Sequence, residues 1–195
     1  MYQFEFYLKL GFEHIANLNG NDHIIFLVAL CAVYQIREWR KILILVTAFT
    51  IGHSISLFVV SLNFFSISSR IIKFLIPATI LITSLQNIIT KKPIINSSGM
   101  FRNYLAALFF GLIHGMDFSN YFKALIMSPD KILIPLLGFN FGIELGQLLI
   151  VFFIVFISFI FLNILRVKHF KWNLFISGAA FGTSLISLLE LSFVE

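Results

Sequence analysis

Hydrophobic residues occupy long, nearly uninterrupted stretches of this chain, and short polar segments separate them. A helix that crosses a lipid bilayer needs roughly 20 predominantly apolar residues. Stretches of about that length lie at residues 41–62, 71–89, 101–118, 132–165 and 172–193, and the fourth exceeds it. Each of them is therefore predicted to be a transmembrane helix.

The first hydrophobic region is too short for one regular span. Residues 24–36 would make a helix of about 20 Å at 1.5 Å per residue, whereas the hydrocarbon core is about 30 Å thick. An amphipathic stretch, 4–18, and a polar segment precede this region. We predict a helix, a kink at Gly20 and a second helix capped by Asn21 or Asp22.

These elements predict the fold class. The chain should form an all-α, polytopic membrane helix bundle of about six transmembrane helices, with the first one discontinuous. Composition agrees, because 59% of the 195 residues are hydrophobic and only 12% are charged, about half the charged fraction of soluble domains. We expect a single transmembrane domain over residues 1–195, with the lipid bilayer as its solvent.

The net charge of +5 comes from cations in short loops, so we expect no nucleic-acid partner. Nine cations follow the first, third and fifth spans: Arg37, Arg40, Lys41, Lys91, Lys92, Arg102, Arg166, Lys168 and Lys171. Five lie on the opposite side: Lys9, Arg70, Lys73, Lys123 and Lys131. Because cytoplasmic loops are enriched in Lys and Arg, this distribution predicts that both termini lie outside the cytoplasm.

Glycines spaced by four residues recur on the apolar helices. They form three series: Gly111–Gly115, Gly138–Gly142–Gly146 and Gly178–Gly182. Small residues at this spacing let two membrane helices approach closely. We interpret all three series as helix contacts inside one bundle, and dimerisation is the alternative.

Ionisable side chains lie inside or at the ends of these apolar spans. Each costs roughly 2.5–3.5 kcal/mol on insertion scales, so such groups need partners or water. They are His14, Asp22, His23, His53, His114, Asp117, Glu144 and Glu190. We interpret Glu190 as structural and place His169 in a loop, outside any site.

Polar residues follow one face on several of the predicted helices. The second span has Thr47, Thr50, His53 and Ser54 at helical spacing, the third has Thr79, Thr83 and Gln86, and the fifth has Asn140, Glu144 and Gln147. His114 and Asp117 are three residues apart, close enough to orient each other. A polar stripe that faced lipid would be costly, so we expect these stripes to converge on a shared interior site.

The chemistry of this set suits a transition metal. Imidazole binds Zn, Ni, Cu and Fe, and carboxylates complete or orient the ligand set. His14, His23, His53 and His114, with Asp22, Asp117 and Glu144, could hold one divalent ion. Ser54, Thr50, Asn140 and Gln147 are candidates for outer partners. The alternative interpretation is that these histidines only donate hydrogen bonds between helices.

Four sequence blocks resemble the HupE/UreJ family of bacterial membrane proteins, in the same order. They are GFEHI at 11–15 with GNDHIIFL at 20–27, TAFTIGHSIS at 47–56, FGLIHG at 110–115, and FNFGIELGQ at 139–147. The resemblance implies a permease of the bacterial inner membrane with nickel or cobalt as cargo. Its matched positions imply functional roles for His14, Asp22, His23, His53, His114 and Glu144. Asp117 departs from the family, which usually has a small residue there.

Three functions stay open on the sequence alone. The first is the nickel or cobalt permease, which would draw energy from ion gradients or from a partner protein, because the chain contains no ATP-binding P-loop motif. The second is an intramembrane zinc enzyme acting on a lipid-linked substrate, with His23, His53 and His114 as ligands, Asp22 or Glu144 as general base and Ser54 assisting. The third is a structural subunit of a larger membrane complex, or of a homo-oligomer.

Overall fold

The computed structural model describes residues 2–17, 22–62, 68–90, 97–126 and 132–193, and these residues form helices joined by short connections. The first two helices are α1 (Tyr2–Ala16) and α2 (Asp22–Cys31). A 3₁₀ turn, Ile36–Glu38, leads into α3 (Trp39–Ser61), which is followed by α4 (Ser69–Ile89) and α5 (Ser97–Leu125). The last two are α6 (Leu133–Phe159), which continues into a π-helical turn (Ile160–Ile164), and α7 (His169–Phe193).

The predicted all-α helix bundle is confirmed. Every predicted span coincides with a helix, although α5 begins four residues before the predicted start and continues to Leu125. The short region predicted at 24–36 is helical only from Asp22 to Cys31. The predicted kink at Gly20 and the capping role of Asn21 lie outside the described residues.

Long apolar helices give the bundle its membrane character. Four helical segments are long and apolar enough to cross a bilayer: Ile36–Ser61, Ser69–Ile89, Leu133–Ile164 and His169–Leu191. Large apolar side chains such as Phe152, Phe153 and Phe156 point outward from α6 and are more than half exposed. Outside a bilayer such a surface would be in contact with water, and we therefore describe the chain as a multi-pass membrane protein.

The first span is divided between two helices, α1 and α2, which pack against successive parts of α6. Tyr7 and Ile15 of α1 share a buried cluster with Phe139 and Ile143, which lie in the first half of α6. Leu27 and Cys31 of α2 belong to a second cluster that contains Val151, farther along α6. The end of α1 and the start of α2 therefore lie beside the middle of α6.

Glycines bring α1 and α6 into close contact. A Cβ atom added to Gly11 would overlap the carbonyl oxygen of Phe139, and one added to Gly142 would overlap the carbonyl oxygen of Leu8. Along this contact Gly138, Gly142 and Gly146 face the carbonyl oxygens of Phe4, Leu8 and Phe12 in that order. The residue numbers increase together, so α1 and α6 are parallel. Only glycine permits this backbone separation.

The same contact joins α3 and α5. A Cβ atom on Gly52 would overlap the carbonyl oxygen of Leu108, and one on Gly111 would overlap the carbonyl oxygen of Phe49. Gly111 faces Phe49 and His53, and Gly115, one turn later, faces His53 and Ser56, so these two helices are also parallel. Both contacts agree with the packing role that the sequence predicts for the glycines of α5 and α6.

The two helix pairs are equivalent in detail. Each α1 position in the first contact corresponds to the α5 position 100 residues later, and each α3 position corresponds to the α6 position 90 residues later. The equivalent positions are Leu8 and Leu108, Gly11 and Gly111, Phe49 and Phe139, and Gly52 and Gly142. In the six-span topology predicted from the sequence, equivalent helices are three crossings apart and would cross the membrane in opposite directions. We therefore refer to α1–α4 and α5–α7 as two inverted halves.

One packing prediction is wrong. No atom of a neighbouring helix lies within 4 Å of a Cβ atom added to Gly178 or Gly182 of α7. Glycine spacing alone does not distinguish a helix face that meets a neighbour from one that faces outward. These two glycines therefore contribute nothing to packing within the described chain.

Candidate metal site

Four histidines from four helices converge in the interior of the bundle. His14 lies in the last turn of α1 and His23 in the first turn of α2, one on each side of the break. His53 comes from α3, and His114 comes from α5. The ring centres of His14 and His23 are 4.8 Å apart, those of His14 and His53 are 5.7 Å apart, and those of His23 and His114 are 5.3 Å apart.

Three of these histidines are arranged as a metal-binding group. One ring nitrogen each from His14, His23 and His53 lies within 4.8 Å of the other two. An imidazole nitrogen binds a zinc-like ion at about 2.0–2.1 Å, so the three nitrogens would have to move closer together to share one ion. Their role as ligands stays a prediction.

The buried ring nitrogens of this cluster are free to bind a ligand. Within the described residues, the Nε2 atoms of His14, His23, His53 and His114 have no hydrogen-bond partner, and neither has Nδ1 of His53. Unpartnered buried polar atoms are rare and need an explanation. A cation between the rings could supply a partner for one nitrogen of each of His14, His23 and His53.

The tautomer of His114 is fixed by its own helix. Its Nδ1 lies 2.8 Å from the carbonyl oxygen of Phe110, and because a carbonyl oxygen only accepts, Nδ1 carries the proton. The lone pair is then on Nε2, as is usual for a metal-binding histidine. Phe110, rather than the predicted Asp117, orients this ring.

Aromatic side chains enclose the histidines, and the sequence analysis did not identify them. The ring centre of Phe118 lies 4.1 Å from that of His14, and this ring stacks on Phe139 with the centres 4.9 Å apart. The ring centre of Phe49 lies 5.2 Å from that of His114. Two of the three occur in the conspicuous TAFT and FNFG blocks, but a phenylalanine in an apolar helix gives no signal of its own. These rings separate the site from the surrounding helices.

Glu144 is held on the face of α3 beside the histidines. Its two carboxylate oxygens accept hydrogen bonds from the hydroxyls of Thr47, at 2.8 Å, and Thr50, at 2.5 Å. The Thr50 hydroxyl also lies 2.7 Å from Oε1 of Gln147. The polar stripes of the second and fifth spans therefore meet directly. Among the described residues, Glu144 is not part of the three-histidine group.

The two remaining polar candidates differ in their surroundings. The Ser54 hydroxyl donates to the carbonyl oxygen of Thr50 in its own helix, at 2.7 Å. Oδ1 of Asn140 is buried and has no partner within the described residues. Ser54 is thus satisfied by its own helix, whereas Asn140 retains an acceptor for a ligand or a water molecule.

An acidic cavity lies next to the cluster. It has a volume of about 460 Å³, and its walls include Asp22, Lys73, Asp117, Ser187 and Glu190. Asp22 immediately precedes one of the four histidines, and Asp117 lies one helical turn beyond another. The structure therefore places Asp22 and Asp117 together, with Glu190, on the side of the histidines that faces the start of α4.

Comparison with known proteins gives one match. The family model described as HupE / UreJ protein matches residues 1–193, essentially the whole chain. Searches of curated proteins and of solved structures found no match.

Proposed function

This chain belongs to the HupE/UreJ family, and on that premise we propose that it is a permease for a divalent transition-metal ion, Ni²⁺ or Co²⁺. The family is associated with nickel and cobalt transport. The observation that carries the proposal is the position of the four histidines. They lie at a helix break between two inverted halves, which is where secondary transporters hold their substrates.

The acidic cavity is the point at which the ion is captured. Carboxylates of Asp22 and Asp117 attract a hydrated divalent cation, and Asp22 leads directly to His23. The ion then exchanges its water ligands for the imidazoles of His14, His23 and His53, with His114 presenting its Nε2 lone pair. In this scheme Glu144 holds α6 against α3 through Thr47 and Thr50.

Movement of the ion across the membrane follows from the inverted halves. In transporters built this way, one half rocks against the other and exposes a central site to each side in turn. The histidines come from both halves, since His14, His23 and His53 precede the middle of the chain and His114 follows it. Relative motion of the halves would therefore spread the ligand set and release the ion.

The orientation completes the proposal. We place the protein in the bacterial inner membrane with both termini outside the cytoplasm. The acidic cavity, lined by residues near the start of α4 and the end of α7, then opens to the outer side. This orientation makes the protein an importer.

Transport by purified protein in vesicles tests the proposal. We expect ⁶³Ni²⁺ or ⁵⁷Co²⁺ to accumulate in proteoliposomes that contain wild-type protein, and His23→Ala and His53→Ala to abolish accumulation. His169→Ala is the matched control, because it removes the one histidine outside the cluster and should leave transport unchanged. Equal transport by all four proteins would overturn the proposal.

The same preparation separates the permease from the intramembrane zinc enzyme. Three histidines with room for a fourth ligand are also the donor set of a catalytic zinc site. A permease should be purified with little metal and bind Ni²⁺ or Co²⁺ reversibly. The zinc enzyme would instead be favoured by three results together. Wild-type protein would hold stoichiometric zinc that resists dialysis, His23→Ala and His53→Ala would both lose it, and wild type would not transport Ni²⁺ or Co²⁺.

A further inference from the structure

A second cavity lies at the opposite end of the bundle, where α6 ends and α3 and α7 begin. It has a volume of about 310 Å³, which is within the ~300–1,000 Å³ range of ligand pockets. Its polar lining residues are Gln35, Arg37, Ser158, Asn163 and His169, and within the described part of the chain no carboxylate lines it. We propose that this cavity binds a phosphate group, such as that of an anionic phospholipid headgroup.

The lining provides hydrogen-bond donors for an anion. Arg37 offers a guanidinium fork that suits phosphate oxygens. The Asn163 amide donates one N–H to the carbonyl oxygen of Phe159 at 3.3 Å and has a second N–H for an anion. Nε2 of His169 is shielded from solvent and has no partner within the described residues. The one nearby acid, Glu38, is already engaged, since it accepts hydrogen bonds from Lys41 at 3.0 Å and from the backbone N–H of Gln35 at 3.1 Å.

The backbone around the cavity departs from regular helix in two places. The end of α6 is π-helical from Ile160 to Ile164, and such turns are frequent at functional sites. Arg166 then adopts φ 53°, the left-handed conformation that usually belongs to glycine. This turn separates α6 from α7 at the cavity and places three cations, Arg166, Lys168 and Lys171, next to it.

Aromatic residues locate the cavity at the level of lipid headgroups. Trp172 donates a hydrogen bond from Nε1 to the hydroxyl of Ser158 at 3.2 Å and stacks on Phe161 with ring centres 4.6 Å apart. Trp39 begins α3 beside the same end of the bundle. Tryptophan is enriched at membrane interfaces, and basic pockets between helices on the cytoplasmic side bind anionic headgroups. This site is independent of metal transport.

Native mass spectrometry of the detergent-purified full chain tests the proposal. We expect wild type to retain phosphatidylglycerol in preference to phosphatidylethanolamine, and Arg37→Gln to weaken retention about fivefold. Arg40→Gln is the matched control, since Arg40 lies over the ring of Trp39 at 5.4 Å and does not line the cavity. It should change retention less than about twofold.

Inorganic phosphate distinguishes the two sources of the ligand. Displacement of phosphatidylglycerol by millimolar phosphate would assign the cavity to soluble phosphate compounds, and resistance to it would assign the cavity to the lipid. If Arg37→Gln does not fold, as judged by gel filtration, His169→Gln and Asn163→Ala replace it. Two results would overturn the proposal. One is an equal loss of phosphatidylglycerol retention in a cavity variant and in Arg40→Gln. The other is that wild type neither prefers phosphatidylglycerol over phosphatidylethanolamine nor binds inorganic phosphate.

Discussion

The α1–α6 pair and the α3–α5 pair share one packing geometry but carry different side chains at equivalent positions. The glycines and the carbonyl groups they approach correspond one to one. The polar residues do not. Where α3 has Thr50, His53 and Ser54, the equivalent positions of α6 hold Asn140, Ile143 and Glu144.

This difference separates what builds the fold from what builds the site. Close contact of two parallel helices needs only small residues at fixed spacing, so both halves can meet that need in the same way. A metal site needs ligands that converge on a single point. Of the residues that meet here, His14 and His114 occupy equivalent positions, whereas His53 has an apolar equivalent. The symmetric scaffold therefore carries an asymmetric set of candidate ligands.

The largest expected effect is on metal binding. His53→Ala removes a proposed ligand of the three-histidine group. We expect the affinity for Ni²⁺ to fall by at least ~100-fold, because loss of a residue that only orients a ligand already costs up to about that much. Ile143→Ala, at the equivalent position of α6, removes packing but no ligand and should leave the affinity within about threefold. Isothermal titration of purified protein measures both, and equal losses in the two variants would assign His53 a packing role.

The next effect is on stability, and here the two pairs should behave alike. Gly52→Ala and Gly142→Ala each push a methyl group into a facing backbone, so each should lower the free energy of unfolding by about 1–3 kcal/mol. Thermal unfolding in detergent, followed by circular dichroism, measures the loss. Gly178→Ala and Gly182→Ala are controls, because their added Cβ atoms meet open space. A loss in only one pair would contradict the equivalence of the halves.

The smallest effect concerns the acid of α6. Glu144→Gln weakens two hydrogen bonds between α6 and α3, and polar contacts between membrane helices average about 0.6 kcal/mol. We expect a loss of that size in unfolding free energy, with Ni²⁺ affinity nearly unchanged. Ser54→Ala, at the equivalent position of α3, should affect neither. A fall in affinity as large as that of His53→Ala would instead make Glu144 a ligand.

Much of the fold follows from the sequence because the bilayer imposes simple requirements. Apolar length predicts the spans, and the short first region predicts the break, since 24–36 cannot cross alone. Helical spacing also placed Thr47, Thr50 and Glu144 on inward faces. It could not show that these three side chains contact one another, because spacing fixes the face of a helix and leaves its neighbour undetermined.

The inverted halves were not predicted, although a trace of them is visible in the sequence. Residues 11–14 read GFEH and residues 111–114 read GLIH, the two equivalent glycine–histidine pairs. Membrane helices diverge freely in their lipid-facing residues, so four letters among so many apolar ones give no recognisable repeat. The parallel contacts reveal it because backbone approach depends on glycine alone.

The inverted arrangement has a consequence for biogenesis. In the topology that we propose, the second half would have to be inserted with its orientation reversed relative to the first. Loop cations bias the orientation of membrane helices. In the first half a group of them follows the first span, at Arg37, Arg40 and Lys41; in the second half a group follows the second span, at Arg166, Lys168 and Lys171. The two halves would thus carry opposite topogenic signals.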